Sequence, residues 1–495
     1  MAVDASGGSV GYEPVIGLEV HCELATATKL FCSCPNSFGD EPNTNVCPVC
    51  LALPGSLPVL NERAVDLAIR VGLALHSDVR QCTFHRKNYF YPDMPKDYQI
   101  SQYDEPLNAG GWLDLPSGTR VGVTRAHLEE DTGKTVHMGG TGRIHDATFS
   151  LVDYNRAGVP LLEIVSEPDI RSPQEAREYV AELRAILVAA GASKARMEEG
   201  SMRVDVNISV RPAGSASLAT RCEIKNLNSL RSLVRALEYE IARQAEVYRS
   251  GGSVVQETRH FDEDTGRTAS LRSKEEAHDY RYFEEPDLLR LVPGQERVDA
   301  IAAGLPAMPA QRRSEIAALF SSAGAGTGGG AGAGGAREDQ IAGLVENGLD
   351  GLLLAAVNGG VSPEKALART ANEAASRIDE ALALDPESYG RLLVMEEAGK
   401  LTATQVKAVL SEMLDEGRGD PAAIAKRLGF ETMGAGSINA SVEEVVASNA
   451  AEWDRYCSGE DKLAQFFIGQ VMKATRGKAD GKAVVAELQR LRSTR

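Results

Sequence analysis

The sequence predicts an α+β domain followed by helical domains, on three observations. From residue 10 to about 290, β-alternating runs such as Arg203-Val-Asp-Val-Asn-Ile-Ser-Val210 are interleaved with a few helical stretches. Beyond Pro293 the pattern turns to Ala- and Glu-rich helical periodicity with almost no strand signal. The helices of the first part carry clear start and stop signals. The expected layout is an α+β domain over 1–295, a helical domain over 296–410 and a helical tail domain over 411–495.

The first strand is Val15-Ile-Gly-Leu-Glu-Val-His-Cys-Glu-Leu24, which places Ile16, Leu18, Val20, Cys22 and Leu24 on one face and Gly17, Glu19, His21 and Glu23 on the other. Cys32-x-Cys34 and Cys47-x-x-Cys50 follow, with twelve residues rich in Pro, Asn, Gly and Asp between the pairs. Four thiolates suit tetrahedral Zn²⁺, and a loop with few apolar anchors gains order from a metal, so a structural zinc is expected rather than four reduced thiols. A closed thiolate shell leaves no open position, which makes this zinc architectural. Cys22, Cys82, Cys222 and Cys457 are scattered and read as small core residues.

A second strand, Thr119 to Asp131, carries Arg125, His127 and Glu129 on one face and Glu130 on the other; both glutamates can serve one ion only if the strand bulges or ends there. In the third, Gly158-Val-Pro-Leu-Leu-Glu-Ile-Val165, Glu163 needs a partner because a lone buried carboxylate is costly. Glu19, His21, Glu129, Glu130 and Glu163 are read as one hard-metal site, the alternative being solvated faces of an acidic protein. Helices are expected over 173–190, capped by Ser172 with Pro173 in its first turn and Gly191 at its end, and from Leu230 to Tyr248, stopping at Gly251-Gly252.

Gly-rich residues 321–336 read as a flexible insert. Gly324, Gly326 and Gly329 mimic a dinucleotide fingerprint, but no strand leads in. Gly133-Lys-Thr135 resembles the end of a phosphate loop, yet Leu128 stands where its first glycine belongs.

With 495 residues, 43% hydrophobic, the chain suits a globular protein of two or three domains. It has no run of 18 uncharged apolar residues and no export signal in Met1–Gly8, so a cytoplasmic protein without membrane contact is expected. A net charge of −17 excludes a general polyanion-coating protein. Contact with nucleic acid must therefore be local, and Lys473–Arg495, with seven basic and two acidic residues, is the place for it.

Six words, Val15-Ile-Gly-Leu-Glu-Val-His21, His85-Arg-Lys-Asn-Tyr-Phe-Tyr-Pro-Asp93, His127-Leu-Glu-Glu-Asp131, Val152 through Glu163, Glu223-Ile-Lys-Asn-Leu-Asn228 and Gly469 through Gly477, occur in the order found in the B subunit of the tRNA-dependent amidotransferase. The chain resembles that family over nearly its whole length, and the bacterial type most, since the large extra domain of an archaeal relative is lacking.

The resemblance implies a cradle fold likened to glutamine synthetase and guanidino kinases. It also implies ATP-dependent phosphorylation of the side-chain carboxylate of Glu-tRNA(Gln) or Asp-tRNA(Asn), then amidation by ammonia. A carboxylate oxygen is a poor leaving group until it is phosphorylated, and metal ions are needed to offset the clustered charge. The family places Mg²⁺ (or Mn²⁺) at the positions of Glu19, His21, Glu129, Glu130 and Glu163. Glu129, Glu130 and Lys87 are thereby expected to be catalytic, Lys87 meeting phosphate or acyl charge. Lys87, Arg203 and Lys225 are expected to hold nucleotide phosphates. Tyr89, Tyr91 and Tyr98 are candidates for stacking on a terminal adenine, and Arg125 and His127 for supporting hydrogen bonds.

No amidase signature supplies ammonia here. The resemblance implies a heterotrimer with two partners, an amidase (glutaminase) known as the A subunit, which makes ammonia, and a small, belt-like C subunit. The assembly would act on misacylated tRNA gripped by the tail. The rival expectation is a non-catalytic, zinc-stapled scaffold that delivers tRNA to an amidase.

Overall fold

A computed structural model of the chain describes residues 11–139, 147–273, 280–322, 331–430, 435–475, 479 and 481–493. Met1–Gly8, residues 323–330 of the glycine-rich insert, and Arg476, Lys478 and Arg495 of the basic tail lie outside these. The chain divides into two compact units, Met1–Gln311 and Arg312–Arg495.

The first unit is built on a 10-stranded sheet. Its central strand, Tyr12–Glu23, lies between Pro160–Ser166 and Met202–Pro212, antiparallel to both. Arg120–Glu130 extends the sheet beyond Pro160–Ser166. On the other side follow Cys222–Leu227, then Glu257–Asp262 in parallel pairing, then Arg267–Ser273. Period-two alternation sends Ile16, Leu18, Val20 and Cys22 into one core, where they meet Val65, Leu67, Tyr179, Leu183, Leu233 and Leu237 from three helices. Those helices are Glu62–Ala74, Pro173–Ala189 and Leu230–Arg249. Glu19, His21 and Glu23 are thereby left on the opposite face.

The caps act as the sequence predicts. Ser172 Oγ accepts from the Glu175 N–H at 3.1 Å, and the Leu230 helix is closed by Gly251 at φ 79°. A 3-stranded sheet of His85–Asn88, Tyr98–Ser101 and Phe283–Glu284 packs beside the Arg120–Glu130 strand.

The first unit runs past residue 295, because helix Gln295–Ala303 docks on it. Arg297 donates to Asp66 Oδ1 at 2.8 Å, and Ile301 and Met308 pack against the core. In the second unit two hydrophobic clusters form, one from Ile316 to Ala425 and one from Ile438 to Leu488. Ile424 and Ala425 belong to the first of these clusters. Helix Ala331–Glu346 begins inside the glycine-rich stretch expected to be linker. Alanines 331, 333 and 336 carry helix propensity back from Ile341, Leu344 and Val345, which the core anchors. Among the described residues no single helix is long and apolar enough to cross a membrane.

Candidate metal and phosphoryl-transfer site

The strand register assembles the site. His21 pairs with Glu163 on one side and Arg203 on the other, and Glu163 pairs in turn with His127. Cross-strand partners point to the same face, so four consecutive strands present Arg203, His21, Glu163 and His127 as one row. Glu129, two residues beyond His127, joins that face. His21 Nε2 lies 3.7 Å from Glu129 Oε1 and 3.5 Å from Glu163 Oε2. One donor atom from each of the three lies within 4.8 Å of the others, close enough to share an ion.

Glu130 is not brought to this cluster. The pairing runs without a bulge through Pro160–Glu130 and Leu161–Glu129, so neighbouring glutamates face opposite ways. Glu130 is buried against the Lys96 ammonium and accepts the Ile100 N–H at 2.8 Å. Glu19 stands at the edge of the cluster, accepting from Asn207 Nδ2 at 2.8 Å. Burial and the charge of Glu163 raise its pKa.

The cluster is electrostatically tense. Burial opposes charge on His21, but the contact with Glu163 and the charge of Glu129 push its pKa up to about 9. Burial and Glu163 raise Glu129 to about 6. Glu163 is held below the usual carboxylate range against its own burial by the charges of His21 and Arg125, with the buried His127 ring facing it.

His127 is fully buried, and burial drives its pKa down to about 4, so it is the neutral imidazole. Its Nδ1 accepts from Arg125 Nε at 3.3 Å. The proton is therefore on Nε2, which faces Glu163 Oε2 at 3.5 Å. This tautomer orients the carboxylate and leaves no lone pair for an ion.

Lys87 lies at the rim, its Nζ 4.9 Å above the Tyr280 ring. Burial works against its charge, yet Glu129 and the neighbouring tyrosines raise its pKa. Arg203 and Lys225 lie further along the same side of the sheet and are ion-paired. Arg203 donates to Asp131 Oδ2 at 2.7 Å, and Lys225 Nζ lies 2.8 Å from Asp205 and 3.0 Å from Glu223. Tyr89 and Tyr91 stack on each other at 5.1 Å. Tyr98 is used internally, with the Arg86 guanidinium 4.3 Å above its ring. Sequence reasoning missed Tyr280 and Tyr282, which lie beside Lys87, and Tyr103, which stacks on Tyr282, because nothing local marks them as neighbours.

The four cysteines converge, with one sulfur from each within 4.8 Å of the others. Cys47 and Cys50 sulfurs are 3.9 Å apart, which matches the edge of about 3.8 Å for a tetrahedron with Zn–S near 2.3 Å. The crowded sulfurs perturb one another: the contact with Cys32 lowers Cys50 to about 5, and the contact with Cys50 raises Cys32. Gly158, at φ +87°, closes this region: a Cβ there would meet Lys29 Cδ at 3.6 Å and Cys50 Cβ and Glu130 Oε2 at 3.8 Å.

Residues 14–299 match the family model described as GatB/GatE catalytic domain, and residues 363–491 match that described as GatB domain. The chain is 48% identical over 490 residues to the B subunit of the aspartyl/glutamyl-tRNA(Asn/Gln) amidotransferase from Frankia casuarinae, covering 96% of this chain and 94% of that protein. It is 48% identical over 491 residues to the protein of the same name from Mycobacterium sp. strain KMS, covering 96% and 95%. The corresponding figures for that of Streptomyces avermitilis are 46% over 491 residues, 96% and 94%.

Proposed function

Because the chain belongs to the family of aspartyl/glutamyl-tRNA(Asn/Gln) amidotransferase B subunits, and so serves tRNA-dependent amidation in protein biosynthesis, we propose that its first unit activates the substrate carboxylate by phosphorylation from ATP. The observation that supports this most is the convergence of His21, Glu129 and Glu163 on an otherwise polar sheet face beside Lys87.

Two carboxylates and one imidazole fit Mg²⁺ or Mn²⁺, and three protein donors leave positions for phosphate oxygens and water. A cation held there by His21, Glu129 and Glu163 would offset the clustered phosphate charge. His21 must give up its proton to become a donor. His127 fixes Glu163, and Asn207 fixes Glu19 at the edge of the site. Lys87 brings a permanent positive charge toward the γ-phosphoryl group or the carboxylate of the tRNA-borne Glu or Asp. Attack of the carboxylate oxygen on the γ-phosphorus releases ADP and gives an acyl phosphate, from which ammonia displaces phosphate, with loss of a proton, to give the amide. Arg203 and Lys225 would exchange their carboxylate partners for nucleotide phosphates.

The remaining parts of the reading follow the same chemistry. Four thiolates hold a structural Zn²⁺, the partner amidase supplies ammonia, and the small third protein makes the assembly a heterotrimer. The second unit grips the tRNA, in the cytoplasm where charged tRNA is used.

The test is Glu129→Ala and Glu163→Ala in the purified complex. Both should abolish ATP hydrolysis that depends on charged tRNA and weaken Mn²⁺ binding. Normal turnover in both variants would return the chain to the scaffold reading, which has no use for a buried cluster of this kind.

A further inference from the structure

Five tyrosines gather beside the metal cluster, and the mechanism above uses none of them. Tyr103 and Tyr282 stack with ring centroids 4.3 Å apart and planes at 14°. Tyr280 meets Tyr282 edge-on at 6.2 Å and carries the Lys87 ammonium on its face. Tyr89 and Tyr91 form a second stacked pair, 5.1 Å apart at 13°. Such rings are normally buried, yet Tyr103 is 57% exposed and Tyr91 55%. The wall is held in place, because Asn88 Nδ2 donates to the carbonyls of Tyr280 and Arg281, each at 2.9 Å.

We propose that these tyrosines form a stacking wall for the unpaired, aminoacylated 3′ end of the RNA substrate. The proposal rests on the function given above and names the subsite that brings the substrate to it. Three features favour this occupant. Every nucleobase presents a flat π face, and stacking on tyrosine is the usual way to hold unpaired nucleotides without reading their sequence. The reacting amino acid is ester-linked to the ribose of the last nucleotide, so the terminal base must sit within one nucleotide of the carboxylate that Lys87, Glu129 and Glu163 receive. Finally, two stacked pairs at the surface offer more than one base-sized face, whereas a mononucleotide brings a single base. Lys87, between wall and cluster, lies where the last phosphate or the carboxylate would pass.

The test uses the complete amidotransferase complex with Tyr282→Ala, Tyr103→Ala and Tyr282→Phe. Each alanine variant should raise KM for charged tRNA by about tenfold, the effect of losing one stacked base, with KM for ATP unchanged. Tyr282→Phe should restore tRNA binding. A binding comparison needs no ATP chemistry: deacylated tRNA should compete better than the same tRNA lacking its unpaired 3′ nucleotides against wild type, and the difference should shrink by about tenfold in Tyr282→Ala. Because this readout is independent of catalysis, failure of the wall and failure of the proposed phosphoryl transfer give different results. A rise in KM for ATP with tRNA unaffected would place the nucleotide's own adenine on the wall and overturn the proposal. Persistence of the full-length preference undiminished in both alanine variants would overturn it too. Tyr103 is exposed enough that its truncation leaves folding intact, so the question stays answerable if Tyr282→Ala does not fold.

Discussion

Glu129 and Glu130 are neighbours in the chain and face opposite sides of one strand: Glu129 lies 3.7 Å from His21 Nε2, while Glu130 is held by Lys96 and the Ile100 N–H. The two carboxylates therefore have separate partners and separate consequences when removed.

Glu129→Ala should reduce Mn²⁺ affinity by at least about tenfold, as loss of one ligand from a three-residue set predicts. Glu130→Ala should leave Mn²⁺ binding close to wild type and instead destabilise the fold, because Lys96 would be left buried without its partner. Titration followed by electron paramagnetic resonance, paired with thermal unfolding, separates the two. Equal loss of Mn²⁺ in both variants would mean that Glu130 turns toward the ion on binding.

The purified protein should carry about one zinc per chain, measured by elemental analysis, and lose it when Cys34 or Cys50 is replaced by serine. Lys29 should matter to that centre. It is fully buried, and its ammonium donates to the Tyr154 carbonyl at 3.1 Å with no carboxylate partner among the described residues. A zinc ion with four thiolates has a net double negative charge, which is the counter-charge Lys29 otherwise lacks. Lys29→Met should release zinc to a chelator about tenfold faster. An unchanged release rate would show that the ammonium is balanced elsewhere.

Glu240 anchors the helix Leu230–Arg249 to the sheet. Fully buried, it accepts from Gln244 at 2.9 Å and Thr268 at 2.8 Å and pairs with Arg243 and Arg259. Burial would raise its pKa, but the bonds from Arg243 and Gln244 hold it below the ordinary glutamate value of 4.5. A depressed folded-state pKa contributes stability above the unfolded value and loses it as pH falls through the folded one. Glu240→Gln should therefore lower stability at pH 7 by about 3 kcal/mol, through the arginines left unpaired. The difference from wild type should shrink on acidification below about pH 4. Denaturant unfolding at several pH values checks this, and a pH-independent difference would rule out the ionised carboxylate as its source.

The basic tail calls for point substitutions. Val484 and Leu488 belong to the core of the last helical cluster, so deleting residues 473–495 would unfold it along with any RNA contact. Replacing Arg476, Lys478 and Lys482 with alanine should instead weaken tRNA binding and reduce the slope of log affinity against log salt by about 1 per lost phosphate contact. An unchanged slope would assign RNA binding to another surface.

Much of this protein is legible in its residues. Alternation over Val15–Leu24 sets which side chains face the core, and Ser172, Pro173 and Gly191 set a helix, because these signals act over a few residues. The cysteine spacing likewise brings four sulfurs together within a short loop. The six sequence words carry the family, and the structure and relatives agree with it.

What the sequence by itself determined is thus the local geometry and the chemistry available. Only the tertiary structure decided which of five candidate residues meet. Register across four strands places His21 opposite Glu163 and Glu163 opposite His127, and no local signal encodes that pairing. The same register turns Glu130 away, since a strand with no bulge at that point cannot direct adjacent side chains to one ion. The tyrosines at 103, 280 and 282 become neighbours only because Phe283–Glu284 adds to the His85–Asn88 strand, a contact between segments almost two hundred residues apart.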